Sequence, residues 1–205
     1  MKEHLKHCKH TVFHPIAGFE EVKWNGKGSN VISFVVLFLF FLVNVLSAQL
    51  TGFSFNTNNP DKISMISIFA VSVGGVLLWF ISNWAVSSLM DGEGKIRQIW
   101  VVTCYSLIPY IVFTALFIIA SNFASLEMAT FLYLLQAFGI AWSCLMMFFG
   151  MYQIHQLDFK GTVGNILLTI FGMAVMLFLM MMLYSLFQQV YAFVYTLFSE
   201  IMFRM

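Results

Sequence analysis

The residues best equipped for chemistry fall in two short clusters. His4, His7, His10 and His14 crowd around Cys8, and neutral imidazole and thiolate are good ligands for zinc or copper. Their spacing matches no closed zinc motif, and no second ligand pair completes a tetrahedron. The run therefore reads as a solvated terminal segment whose interleaved Lys2, Lys6 and Lys9 suit anionic headgroups, with no metal or other cofactor expected. The second cluster is Asp91-Gly92-Glu93-Gly94, where two carboxylates flanked by glycines could hold a cation or a partner's basic group. It offers few oxygens for a cation. It reads first as a turn, with Glu93 placed to favour the start of the next helix, then as a partner contact, and last as a metal site.

Absences narrow the function further. There is no His-Glu-x-x-His zinc pair, no Gly-x-Ser-x-Gly nucleophile elbow and no phosphate-cradling glycine loop, so no enzyme is expected. Asn44, Gln49, Asn83 and Gln136 lie within apolar runs, where amides either line a polar route or bond between helices for about 1 kcal/mol each. Asn83-Trp84 reads likewise as a headgroup or ligand contact or as interhelical glue. Ala70-x-x-x-Gly74 and Gly139-x-x-x-Ser143 offer small-residue faces for close packing. Met173, Met176, Met180, Met181 and Met182 suit adaptable packing or a partner face better than a copper path. His155 sits at an edge beside Asp158, and no ionisable group lies well inside an apolar run, which removes most support for an ion-coupled pump.

The elements that carry these residues follow from composition. Of 205 residues, 60% are hydrophobic and 9% charged, against roughly a quarter charged in a soluble domain. A net charge of +1 gives no field for nucleic acid, and no long polar stretch leaves room for a soluble catalytic domain. Asp, Glu, Lys and Arg are absent from 28–60, 63–90, 98–126, 128–157 and 161–199. Each run exceeds the roughly 20 residues of one crossing, and continuous apolarity excludes a barrel strand pattern. The expectation is an all-α polytopic membrane protein with spans near 31–51, 63–88, 99–120, 128–153 and 164–188. The first span is expected to be retained and not cleaved as a signal, and three scattered cysteines suggest reduced thiols.

Orientation follows from the basic residues. Eight of ten Lys and Arg lie in the N-terminal segment and in the second and fourth connections, with only Lys62 and Arg204 opposite. The N-terminus is therefore expected in the cytoplasm and the C-terminus outside a plasma membrane. Residues 1–30 are expected to form a cytoplasmic segment, 31–188 the five-span domain, and 189–205 an amphipathic helix in which Val190, Phe193, Val194, Leu197, Phe198 and Ile201 recur at helical spacing. A second amphipathic helix is expected at 15–24, begun by Pro15, ended before Gly26 and Gly28, and lying flat with Lys23 and Trp24 near headgroups. Pro109 should kink the third span.

Three patterns together carry a family resemblance: His14-Pro15-x-x-Gly18-Phe19 with Gly28-Ser29, Asn83-Trp84 followed by Asp91-Gly92-Glu93-Gly94, and Tyr105-x-x-x-Pro109. In their order and spacing the chain resembles bacterial Yip-domain (Ypt-interacting protein) membrane proteins from His14 to about Tyr191. The resemblance implies a five-span fold and a role in membrane organisation or partner assembly. The Asp-Leu-x-Gly-Pro-type signature of the eukaryotic branch is missing, as is a long N-terminal region to engage a GTPase. The expected function is a non-enzymatic membrane protein that assembles with itself or with other membrane proteins. The alternatives are a small permease or channel for a neutral solute, an accessory subunit of a transporter, or membrane shaping by the terminal helices.

Overall fold

The structure, a computed structural model, describes residues 2–56, 64–90 and 92–204. Asp91, Lys62 and the expected start of the second span at 63 lie outside them, as do the side chains of Lys2, His4 and Arg204. Every described element is helical: α1 (Lys2–Phe13), α2 (Pro15–Trp24), α3 (Asn30–Leu50), α4 (Met65–Leu89), α5 (Ile96–Tyr105), α6 (Ile108–Ser121), α7 (Ala129–His155) and α8 (Phe159–Arg204), with a short 3-10 turn at Leu126–Met128. Five stretches are long and apolar enough to cross a membrane: α3, α4, α5 with α6, the 3-10 turn with α7, and α8. The chain is a multi-pass membrane protein.

The third span is the pillar of the bundle. Ile99 to Tyr105 of α5 are all buried, and Phe19, Val22, Met146, Met151 and Ile154 pack around them. The span breaks where Pro109 predicts. Proline has no N–H and its ring would strike the Tyr105 carbonyl, so α5 ends at Tyr105 and α6 restarts at Ile108. The next amide, Tyr110 N–H, donates across the bundle to Ser143 Oγ at 2.9 Å. The small-residue face of α7 is thus used, with Gly139 against the Phe113 side chain. The matching face on α4 is not: Ala70 is exposed and no atom lies within 4 Å of a Cβ built on Gly74.

The N-terminal segment departs from expectation in its first residues. Residues 2–13 are a helix and not a loose solvated run, because His7, Cys8 and Thr11 pack inward. Pro15 disfavours helix at His14, where the chain turns before α2 begins at the predicted residue. The helices then run antiparallel, with Gly18 against Thr11 and His7 Nε2 3.2 Å from Glu21 Oε2. The hairpin packs into the bundle. Phe19 and Val22 are buried in the bundle core, and Trp142 Nε1 donates to the Val12 carbonyl at 3.2 Å near the hairpin tip.

Tyr105 fixes the level of this hairpin. Its hydroxyl accepts from Ser29 N–H at 3.2 Å, aligning it with the start of α3. The 21 residues of α3 rise about 32 Å, close to the hydrocarbon thickness. Ile96 to Cys104 therefore project about 14 Å past the start of α3, together with the end of α7 and the start of α8, while the hairpin tip reaches down to Trp142. At the opposite face α8 continues past Gln188 without a break. From Leu177 to Phe203 every residue is exposed except half-buried Ser199.

Candidate functional site

The projecting end gathers most of the motif residues into one polar centre. Asn83 comes from α4, where Ser82, Asn83, Val86 and Ser87 form the face turned to α8 and α7. On α8, Asn165 and Thr169 are one turn apart on the opposing face, and both are fully buried. Asn83 Nδ2 donates to Asn165 Oδ1 at 2.8 Å and to Thr169 Oγ1 at 3.0 Å, while Thr169 Oγ1 itself donates to the Asn165 carbonyl at 2.7 Å. That leaves Asn83 Oδ1 as an acceptor, 3.1 Å from His155 Nε2 at the end of α7. The proton must then sit on Nε2, since an amide oxygen cannot donate.

The loop before α5 closes over the other side of His155. A Cβ on Gly94 would stand 2.6 Å from His155 Nδ1, and one on Gly92 2.9 Å from it, so only glycine lets the backbone lie against the ring. Glu93 N–H reaches the His155 carbonyl at 3.4 Å. Lys23 completes the closure from α2: its Nζ donates to Ile154 O at 2.9 Å, Glu93 Oε2 at 3.0 Å and Glu93 O at 3.3 Å. Three ammonium protons thus meet three oxygens, one of them a terminal carbonyl of α7, where the helix dipole favours a cation. The Lys23 side chain is 7% exposed. It seals a joint between α2, the loop before α5 and the end of α7, and Trp24 beside it is exposed.

Further bonds fix the loop and the helix starts. Gln98 Nε2 donates to the Lys23 carbonyl at 3.0 Å, and its Oε1 accepts from Lys95 N–H at 2.9 Å. Arg97 Nη2 donates to the Gly28 carbonyl at 3.0 Å. Asp158 Oδ1 accepts from Gly161 N–H at 2.8 Å and so caps α8.

Of the sequence candidates, Gly18, Phe19, Asn83, Gly92, Glu93, Gly94 and Tyr105 therefore share this end of the bundle. His14 and Trp84 are exposed, Pro15 is half-buried, and Pro109 lies deeper at the α5–α6 break. Asn44 sits apart, its Oδ1 accepting from Tyr110 Oη at 3.0 Å. His10 and His14 stack with centroids 5.0 Å apart, and among the described residues no group of three His, Cys, Asp or Glu could hold a metal ion. Burial lowers the His7 pKa against the opposing pull of Glu21, and it pushes the Cys8 thiol up to about 11.

Sequence reasoning missed His155, Lys23, Asn165 and Thr169 as members of one centre. One signal was legible. Thr162, Asn165 and Thr169 recur at helical spacing in an otherwise apolar span, as Asn83 and Ser87 do in α4, and such polar stripes mark facing helices.

Five apolar helical spans closed at one end by an amide, imidazole and ammonium network define an all-helical multi-pass membrane protein. The Yip1 domain family model matches residues 9–183, and the chain belongs to that family. No curated protein and no solved structure matches it.

Proposed function

We propose that this protein is a non-enzymatic assembly component of the plasma membrane, with its N-terminus cytoplasmic and its C-terminus outside, joining with further copies or with other membrane proteins. The observation that carries the reading is the exposure of α8: 27 consecutive residues, 177–203, have almost no packing within the chain. Helices in lipid associate through shape and polar contacts, and this surface offers Tyr184, Gln188, Tyr191 and Tyr195 among aliphatic side chains. The polar centre fits the same reading, since its bonds tie α2, α4, α7 and α8 to one another, with His155 Nδ1 the ring atom left without a partner among the described residues. Orientation rests on the eight-to-two distribution of Lys and Arg.

The test is crosslinking in native membranes from single cysteines at Tyr184, Gln188 or Tyr195 in a variant lacking Cys8, Cys104 and Cys144. A reproducible adduct from one helical face is expected. Monomer alone from every position would remove the proposal.

A second reading, passage of a neutral solute, draws on a crevice of about 690 Å³ between α3, α4 and α5, lined by Asn44, Ser72, Trp79 and Thr103. Solute flux into proteoliposomes, abolished by Gly75→Trp on the crevice wall, would favour it over assembly.

A further inference from the structure

Beside the polar centre, but separate from it, a second cavity of about 230 Å³ opens between α2, the turn after it and the first turns of α5. Lys23, Lys27, Lys95 and Arg97 all line it, and no acidic side chain does. Glu93 offsets Lys23 and Glu21 offsets Lys27, at 3.0 and 3.2 Å. Lys95 and Arg97 have no carboxylate partner among the described residues, and Arg97 spends one nitrogen on the Gly28 carbonyl while keeping its other donors. The pocket therefore carries two uncompensated positive charges. Like charges held together in a concave site are costly unless an anion joins them.

Its level is equally informative. The floor includes Val101, which Gly28 approaches so closely that a Cβ there would meet Val101 Cγ1 at 2.9 Å. Val101 lies one turn above Tyr105, the residue aligned with the start of α3 and so with the hydrocarbon edge. One turn is about 5 Å, which puts the pocket floor and the Arg97 guanidinium, held on the Gly28 carbonyl next to Ser29, in the headgroup layer. Trp24, exposed on the rim, is the side chain most at home there. The volume falls below the roughly 300–1,000 Å³ typical of sites for whole drug-sized ligands, and suits a headgroup phosphate whose tails stay in the bilayer.

We infer that this pocket binds the phosphate of an anionic phospholipid headgroup. A zwitterionic lipid presents the same phosphate with a fixed cation beside it, which the excess positive charge disfavours. Phosphatidylglycerol carries no such cation.

The test measures lipid retained on the purified full chain by native mass spectrometry, after exchange into phosphatidylcholine with or without phosphatidylglycerol. A parallel arm titrates inorganic phosphate. Lys95 contributes only backbone groups to the fold, its N–H to Gln98 Oε1 and its carbonyl to the Gln98 and Ile99 amides, so Lys95→Gln and Lys95→Glu should fold as the parent does. Phosphatidylglycerol should be retained in preference to phosphatidylcholine. Lys95→Gln should lower that preference roughly five-fold, Lys95→Glu should abolish it, and Lys160→Gln, at the same end but outside the pocket, should leave it unchanged. Equal retention of the two lipids, or a preference that survives Lys95→Glu, would overturn the inference. Binding of inorganic phosphate that depends on Lys95, with no preference between lipids, would overturn the lipid source and assign the site to a soluble anion.

Discussion

The side chains of Asn83 and His155, 72 positions apart, meet at 3.1 Å and tie α4 to the end of α7. Asn83 also holds Asn165 and Thr169 on α8, so one amide joins three spans. Replacement by leucine of similar size would leave the Asn165 oxygen and the His155 ring without their partner. Asn83→Leu is expected to lower stability by about 1–3 kcal/mol, more than the roughly 1 kcal/mol of one interhelical bond, because buried groups are left unpaired. Thermal unfolding in detergent measures this; an unchanged midpoint would show the centre to be dispensable.

Gly94→Ala tests the lid over the imidazole. The added carbon would stand 2.6 Å from two atoms of the His155 ring, which is anchored by Asn83 and cannot swing aside. A loss of about 1–3 kcal/mol is expected from overpacking. Gly26→Asn is the contrast. Its φ of +61° is a conformation asparagine tolerates, and no atom lies within 4 Å of the new Cβ, so little should change.

Lys23 and Glu93 should behave unequally. Glu93 is 62% exposed, and in Glu93→Gln the lysine keeps both backbone carbonyl partners, so the loss should stay under about 1 kcal/mol. Lys23→Met removes the donor to the part-buried Ile154 carbonyl as well as to Glu93 and is expected to cost more, about 1–3 kcal/mol. Equal losses in the two variants would mean that the ion pair, and not the capping of α7, is what matters.

The N-terminal hairpin should loosen in acid. Burial lowers the His7 pKa below its usual 6.5, with Glu21 opposing. The unfolded segment then binds a proton more readily than the packed one, so stability is complete above 6.5 and falls as pH drops below it. Corrected for the intrinsic pH dependence of amide exchange, the protection of residues 6–12 should fall between neutral pH and about 5, and more steeply than in His7→Gln. Parallel profiles would show that His7 is not the titrating group.

Much of the architecture was legible because lipid imposes it. Charge-free runs report which segments lie in hydrocarbon, proline fixed both the start of α2 and the α5–α6 break, and the charged turns fell between spans. What escaped was azimuth. A hydropathy run gives depth along a helix but not which side meets a neighbour, so Ala70 and Gly74 looked like a packing face although they point outward, and Asn165 and Thr169 passed unremarked. The bonds of Lys23 escaped for a related reason: a cation beside a tryptophan has the composition of a headgroup anchor, and only the fold brings the carbonyl of Ile154 within reach.

The unbroken course of α8 bears on how the protein meets membranes of different thickness. Its 46 residues rise about 69 Å, more than twice a hydrocarbon core, whereas α3 matches that core with little to spare. A thicker bilayer would stretch the match along α3, yet it would merely submerge another turn of α8, whose apolar character persists well beyond Gln188. The helix can slide its wetting line without bending, so the strain of mismatch falls on the other four spans, and the length of α8 left standing in water becomes a readout of the membrane around it.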